Sequence, residues 1–420
     1  MSVIAHLADI ASIGRDASSG GYSRLAWTDA DLMLREWFIG QASGLGLEVE
    51  TDRNGNIWAW WGDPSAGDAV VTGSHVDSVP DGGNYDGPLG IASALTAVAE
   101  LKRRGVHPRR PLAVACFTDE EGGRFGVACI GSRLAAGVLA PEKARALRDA
   151  DGVTLDEALR RAGRDPEALG AEPERLARIG AFVELHVEQG RALIDLGAPI
   201  AVGTAILPHG RWRIDITGEP NHAGTTLMAD RRDPMLGLAR LIDAAHREAT
   251  ERDSTSGPGG SAEPPLTGHA ARATVGKIRC VPNAVNAIPA EVTGWLDARA
   301  EDEATLDAML EAVGRDLLDL PGLHATFTME SRTPAQHFDP TLSAALAARL
   351  DGAPLLATGA GHDAGVLAEA GVPAAMLFVR NPTGISHSPQ EYAEDADCEA
   401  GGVALADVLA DLLTADTLPR

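Results

Sequence analysis

Through its first two hundred residues the chain alternates short apolar runs with longer amphipathic ones, and that alternation admits few folds other than a sheet covered by helices. NIWAWWG (Asn56–Gly62) and AVVTGSH (Ala69–His75) read as strands. Asn54-Gly55 reads as a hairpin turn ahead of the first, because both residues tolerate positive φ. The run from Pro88 to Gly105 reads as a buried helix with basic residues near its C-terminal end, and LAVACFTDEE, starting at Leu112, as the next strand. From Pro141 to about Gly180 the chain is charged and helical with no evident chemistry, and AFVELHVEQG (Ala181–Gly190) returns to strand.

After Ile206 the pattern changes. Strand RWRIDITGEP (Arg211–Pro220), a helix from Asp233 to about Ala249, strands ATVGKIRC (Ala273–Cys280) and AEVTGWLDAR (Ala290–Arg299), and a helix from Ala304 to Leu318 suit a small α/β domain inserted into a larger one. From about Met329 short strands and Gly-rich turns resume, and a helix from Cys398 to Leu413 closes the chain. At 420 residues the chain exceeds one ordinary core, so the expected division is 1–208, an insertion at 209–328, and 329–420. The Gly-, Pro- and Ser-rich stretch Glu251–His269 is expected to be a mobile loop without an assignable function.

Composition narrows the function classes. Apolar residues at 45% and charged residues at 23% allow a substantial core, while a net charge of −24 repels phosphate backbones and anionic lipid. Nucleic acid and membrane partners are therefore not expected. Cys116, Cys129, Cys280 and Cys398 form no Cys-x-x-Cys pair and read as reduced core thiols. The N-terminus has no basic region followed by a long apolar run, so a cytoplasmic location is the expectation.

Five islands place acids and histidines at strand ends, where a rigid sheet can aim them into one crevice. They are GSHVDS around His75 and Asp77, GGNYDGPLG around Asp86, TDEEGGRFG around Glu120 and Glu121, ELHVEQG around His186, and GISHSP around His387. Any one such histidine is more often a satisfied structural residue than a ligand, but five islands of one character point to a centre for zinc, manganese, cobalt or nickel. His75 and Asp77 are two apart, so on a strand they share a face and the carboxylate is expected to orient the imidazole. Of the adjacent Glu120 and Glu121, one suits a metal ligand and the other a free base; the bland alternative is an exposed acidic turn.

The ordered set HxD, YDGPLG, EEGxRF, ELHxEQG, HAGTT, Asn-x-Ile-Pro, Asp-x-Arg, GAGHDA and GISHSP runs from about residue 20 to 412. It resembles the hydantoinase/carbamoylase branch of the zinc aminoacylase and carboxypeptidase superfamily, which holds allantoate amidohydrolases, N-carbamoyl-L-amino acid hydrolases and β-ureidopropionases. The resemblance implies an α/β di-metal aminopeptidase-like catalytic domain with an inserted smaller α/β dimerisation, or lid, domain. It implies two divalent metal ions per chain, with Asp86 bridging, His75 and Glu121 at separate ends, and His186 and His387 each on one ion. Glu120 would be the general base, with Asp77 supporting the catalytic set. Gln189, His222, Asn286, Arg299 and Gly361 would hold substrate, Arg299 as a bidentate carboxylate clamp. His222 would serve the partner's site in a homodimer, by a hydrogen bond to the developing oxyanion. The implied reaction removes a carbamoyl-type group from a small ureido acid; the alternatives are another N-acyl acid such as an N-formyl amino acid, a dipeptide, or a metal-stabilised small-acid binding protein.

Leu227, Ala287 and the Arg380-Asn381-Pro382 loop depart from the branch pattern without removing a ligand. Arg380 reads either as a second anion contact or as a surface arginine. TGAGHDAG reads as a tight substrate loop, since no acidic ribose contact follows it, and Ser386 and Ser388 lack the Gly-x-Ser-x-Gly elbow of serine catalysis.

Overall fold

The apolar runs become strands buried on both faces of one sheet. The computed structural model describes residues 1–255, 271–318 and 321–419, so most of the Gly- and Pro-rich stretch lies outside the described residues. Strands are numbered β1 to β15 in chain order, and the chain divides into two compact units, residues 1–205 with 337–420, and 206–336.

In the first unit β1 (Glu48–Thr51), β2 (Ile57–Trp61), β3 (Ala69–His75), β4 (Leu112–Phe117), β5 (Ile179–Val187), β6 (Ile200–Ile206), β13 (Gln336–His337), β14 (Leu355–Thr358) and β15 (Ala374–Val379) form one mixed sheet. Their order is β1-β2-β4-β3-β5-β15-β6-β13, with β14 beside β6. The centre, β4-β3-β5-β15, is parallel, and every residue of these four strands is buried. Continuous Val-, Leu- and Ala-rich runs are what such double burial requires.

The helix Pro88–Arg103 lies against this sheet with Leu89, Ile91, Leu95, Val98 and Leu101 fully enclosed. Gly90 lets it approach: a Cβ there would collide with the Leu185 carbonyl and the Ser74 side chain. The helix Asp395–Thr414 adds Leu405, Leu409 and Leu413 to the same core. Parallel β3, β4, β5 and β15 all end on one side, the side on which open α/β sheets carry their chemistry.

The expected hairpin at Asn54-Gly55 forms, but as a longer loop between β1 and β2 in which only Gly55 takes positive φ. The Asp52 carboxylate accepts from the amides of Asn54 and Asn56 and from the indole of Trp58, and this buried acceptor does the work of a two-residue turn.

The second unit holds β7 (His209–Thr217), β8 (Asn221–His222), β9 (Ala271–Val281), β10 (Ala287–Ile288), β11 (Glu291–Ala300) and β12 (His324–Thr333). Its four-stranded antiparallel sheet has the order β12-β7-β11-β9, and β8 pairs with β10 apart from it. The helices Pro234–Thr255 and Glu303–Leu318 cover one face, meeting Ile214, Ile216, Val292 and Leu296. This unit extends to Gln336, past the 328 read from sequence, because β12 continues through Met329 as a largely exposed edge strand whose polar residues hide its end. Cys280 is likewise only half-buried on β9, whereas Cys116, Cys129 and Cys398 are core thiols; all four are free. Among the described residues no helix is long and apolar enough to cross a membrane.

Candidate metal centre

Each of the five islands leaves the sheet at the carboxyl end of a strand or in the loop that follows. His75 is the last residue of β3, His186 the penultimate residue of β5, and Glu120 and Glu121 follow β4 after Thr118-Asp119. Asp86 precedes the helix at Pro88, and His387 lies in the turn beyond β15 with a left-handed φ of 54°. Gly87 keeps the Asp86 corner open: its φ is +81°, and a Cβ would overlap the His75 ring.

Two groups of donors form around one shared carboxylate. His75, Asp86 and His186 are buried together, and Asp86 also groups with Glu121 and the more exposed His387. His186 Nε2 lies 3.1 Å and His75 Nε2 3.6 Å from Asp86 Oδ1, while His387 Nε2 lies 3.5 Å from Asp86 Oδ2 and 3.3 Å from Glu121 Oε2. The Gln189 amide donates to Asp86 Oδ2 at 2.7 Å.

The backbone selects the tautomers. His75 Nδ1 meets the Asp77 carbonyl at 3.1 Å and His186 Nδ1 meets the Val187 carbonyl at 2.9 Å. A carbonyl only accepts, so each Nδ1 carries hydrogen and, in the neutral ring, each Nε2 lone pair points at Asp86. His75 Nε2, His186 Nε2 and Glu121 Oε1 are buried without a hydrogen-bond partner. Lone pairs of two imidazoles and a carboxylate converging in a buried space repel unless a proton or a cation lies among them, and N and O donors of this kind suit a divalent metal.

The charge balance carries the same signature. Burial opposes charge on His75, yet Glu120, Asp86 and Asp77 hold its pKa well above the ordinary imidazole value. Burial likewise works against His186, and Asp86 and Glu184 still raise it. Asp86, despite burial, is driven well below the usual carboxylate range by His186 and His75. Burial first, then neighbouring carboxylates, pushes Glu120 and Glu121 well above theirs, with His75 pulling the other way. Cations placed among these groups would return both glutamates to the charged form.

Asp77 holds a different partner from the one expected. β3 ends at His75, so the strand alternation stops there, and it is the Asp77 main-chain carbonyl that orients the imidazole, while the carboxylate stands 3.7 Å away. The carboxylate instead accepts from the amides of Glu120 at 3.2 Å and Glu121 at 3.1 Å. It thereby fixes the main chain that aims both glutamates: Glu120 Oε2 lies 3.7 Å from His75 Nε2.

Gln189 is thus at the centre, and Gly361 is exposed in the loop before the helix Asp363–Glu369. The other substrate candidates are in the second unit. His222 is exposed on β8, its Nδ1 accepting from Gly224, and the Asn286 carbonyl accepts from Ala223 beside it. Arg299 is on β11 with Nε donating to Asp297 at 2.9 Å. Arg380 donates from two nitrogens to Asp397 at 2.8 and 3.0 Å, which ties it to the closing helix.

Sequence reasoning passed over two buried groups. His362, its ring 4.5 Å from that of His186 and its Nδ1 3.9 Å from Glu120 Oε1, follows Gly361 in the GAGHDA island, where the His-Asp pair was the available signal. Glu391 accepts at Oε1 from the amides of Tyr85 and Asp86, both at 3.0 Å, and nothing in GISHSPQE announces that reach of over three hundred residues.

Residues 71–411 match the family described as Peptidase family M20/M25/M40. The chain is 35% identical to an N-carbamoyl-L-amino acid amidohydrolase of Geobacillus stearothermophilus, covering 95% of each. It is 33% identical to an allantoate amidohydrolase of Bacillus subtilis, over 97% of this chain and 96% of that one. A solved amidase of the hydantoinase/carbamoylase family from Burkholderia vietnamiensis superposes with a TM-score of 0.81 at 34% identity, over 98% of this chain and 97% of that one. The chain belongs to Peptidase family M20/M25/M40, in its hydantoinase/carbamoylase branch, and is a hydrolase of carbon–nitrogen bonds.

Proposed function

We propose that the protein is a two-metal amidohydrolase that removes the carbamoyl group of a small ureido acid, an N-carbamoyl-L-amino acid or allantoate. One observation carries the metal part of this reading: two buried Nε2 lone pairs and the Glu121–His387 pair converge on opposite oxygens of Asp86. The names of the relatives support the substrate class.

When bound, two divalent cations, zinc or else manganese, cobalt or nickel, supply Lewis-acid polarisation and a lowered pKa for the attacking water. An electron-rich ureido carbonyl, with two nitrogens donating into it, needs both. Asp86 would be shared between them, His75 and His186 would hold one, and Glu121 and His387 would hold the other. Glu120, held by the amide contact to Asp77, takes the proton of the attacking water and returns it to the leaving nitrogen. Arg299 clamps the substrate carboxylate, with Gln189, Asn286 and Gly361 around the remaining polar atoms. His222 donates to the oxyanion of the partner's site in a homodimer, the second unit supplying the dimer contact. The products are ammonia, carbon dioxide and the freed amine.

The test is a substrate panel with ammonia detection. Metal-loaded protein is expected to release ammonia from N-carbamoyl-L-amino acids or allantoate and to leave N-formyl amino acids and dipeptides largely intact. Turnover of dipeptides or N-formyl acids with no ammonia from any ureido acid would overturn the substrate assignment.

A further inference from the structure

Two loops distant in sequence bring Asp86 and His387 together, joined by the buried Glu391 and by the Ser386 hydroxyl, which lies 3.2 Å from Asp86 Oδ2. Glu391, 5% exposed, accepts at Oε1 from the amides of Tyr85 and Asp86, both at 3.0 Å. Its Oε2 lies 3.2 Å from the hydroxyl of Ser386, the residue beside His387, and its own amide donates to the Ser388 carbonyl at 3.0 Å. Gly83 leaves room for it: a Cβ there would run into the Glu391 carboxylate. The rings of Tyr85 and Tyr392 meet edge to face across the same seam, centroids 6.2 Å apart. His387 needs such support, since its side chain is 48% exposed and its backbone is left-handed. His75 and His186, by contrast, are carried on buried strands.

We propose that Glu391 is a positioning residue that sets the spacing of Asp86 and His387, and so controls cation binding by Asp86, Glu121 and His387 without governing the His75–Asp86–His186 group. This rests on the two-metal reading above. Because the grip is made by acceptor oxygens on main-chain amides, glutamine can keep it, with Oε1 accepting from both amides and its NH₂ donating to Ser386 Oγ.

Metal-stripped protein is titrated with Zn²⁺ and its stoichiometry and stepwise affinities are measured, with circular dichroism to establish folding. Wild-type protein is expected to take two equivalents. Glu391→Ala is expected to keep the tighter one and to bind the second about 10- to 100-fold more weakly, the range for lost partners of metal ligands. Glu391→Gln is expected to restore the second site to near wild type. Ser386→Ala, which removes the hydroxyl lying 3.2 Å from both Glu391 Oε2 and Asp86 Oδ2, is expected to weaken the same site about two- to tenfold. Unchanged binding in Glu391→Ala, or equal weakening of both sites, overturns the inference, as does Glu391→Gln behaving like alanine. Should Glu391→Ala fail to fold, unchanged second-site affinity in Ser386→Ala overturns it alone. A wild-type protein that binds one equivalent overturns the two-metal reading, and the inference falls with it.

Discussion

Asp77→Asn keeps the shape of the side chain and removes one of its two acceptor oxygens. In the structure those oxygens accept from the amides of Glu120 at 3.2 Å and Glu121 at 3.1 Å, and the residue is 2% exposed. Asparagine can accept from one amide, but its NH₂ must then face the other, leaving a buried donor without a partner. A hydrogen bond to a charged acceptor contributes about 1.5–3 kcal/mol, equivalent to about 10- to 150-fold in an equilibrium or a rate. That loss falls on the main chain carrying Glu120, the proposed base, and Glu121, the proposed metal ligand. The His75 ring keeps its orientation, because a main-chain carbonyl meets its Nδ1. Asp77→Asn is therefore expected to lower kcat/KM by about 10- to 150-fold and to weaken the cation held by Glu121. The assay is ammonia release alongside metal affinity in a double-mutant cycle with Glu121→Gln, where effects on one shared cation are non-additive. Fully additive losses, or a single mutant with wild-type rate and affinity, would refute the idea that Asp77 acts through the glutamate main chain.

Glu120→Gln is expected to keep both metals and the fold yet lose about 10²- to 10⁴-fold in rate, since the amide has no basic lone pair, whereas Glu121→Gln loses metal; elemental analysis beside kinetics would expose a reversed assignment. Arg299→Lys is expected to raise KM for carboxylate substrates far more than for a neutral analogue, because lysine lacks the two-pronged geometry; equal losses would give Arg299 a structural role. Mixing Glu120→Ala and His222→Ala chains under subunit exchange is expected to restore about a quarter of wild-type ammonia release, and confirmed mixed dimers without restored activity would rule out a shared site.

What could be read from the sequence followed from where the chemistry sits. Val70 to His75, Leu112 to Phe117 and Ala181 to Val187 are unbroken buried runs, so their ends, and the acids and histidines just beyond, were visible as strand termini. The helices at Pro88 and Pro234 announced themselves by apolar spacing. Partners joined through space were not visible. Asp77 looked like the orienter of His75 because strand alternation was extended two residues too far. Arg380 finds Asp397 seventeen residues on, and Glu391 reaches the Asp86 loop from the other end of the chain. The end of β12 was missed because an exposed edge strand has no buried alternation to mark it.

Catalysis in the proposed function depends on two cations held around Asp86. That dependence is tested most directly by stripping the protein with chelator, verifying the loss by elemental analysis, and measuring ammonia release from an N-carbamoyl-L-amino acid or allantoate as Zn²⁺ or Mn²⁺ is returned stepwise. Metal-free protein is expected to show no turnover, and activity to rise to a plateau at two equivalents per chain. Full turnover by protein shown to be metal-free would contradict that dependence.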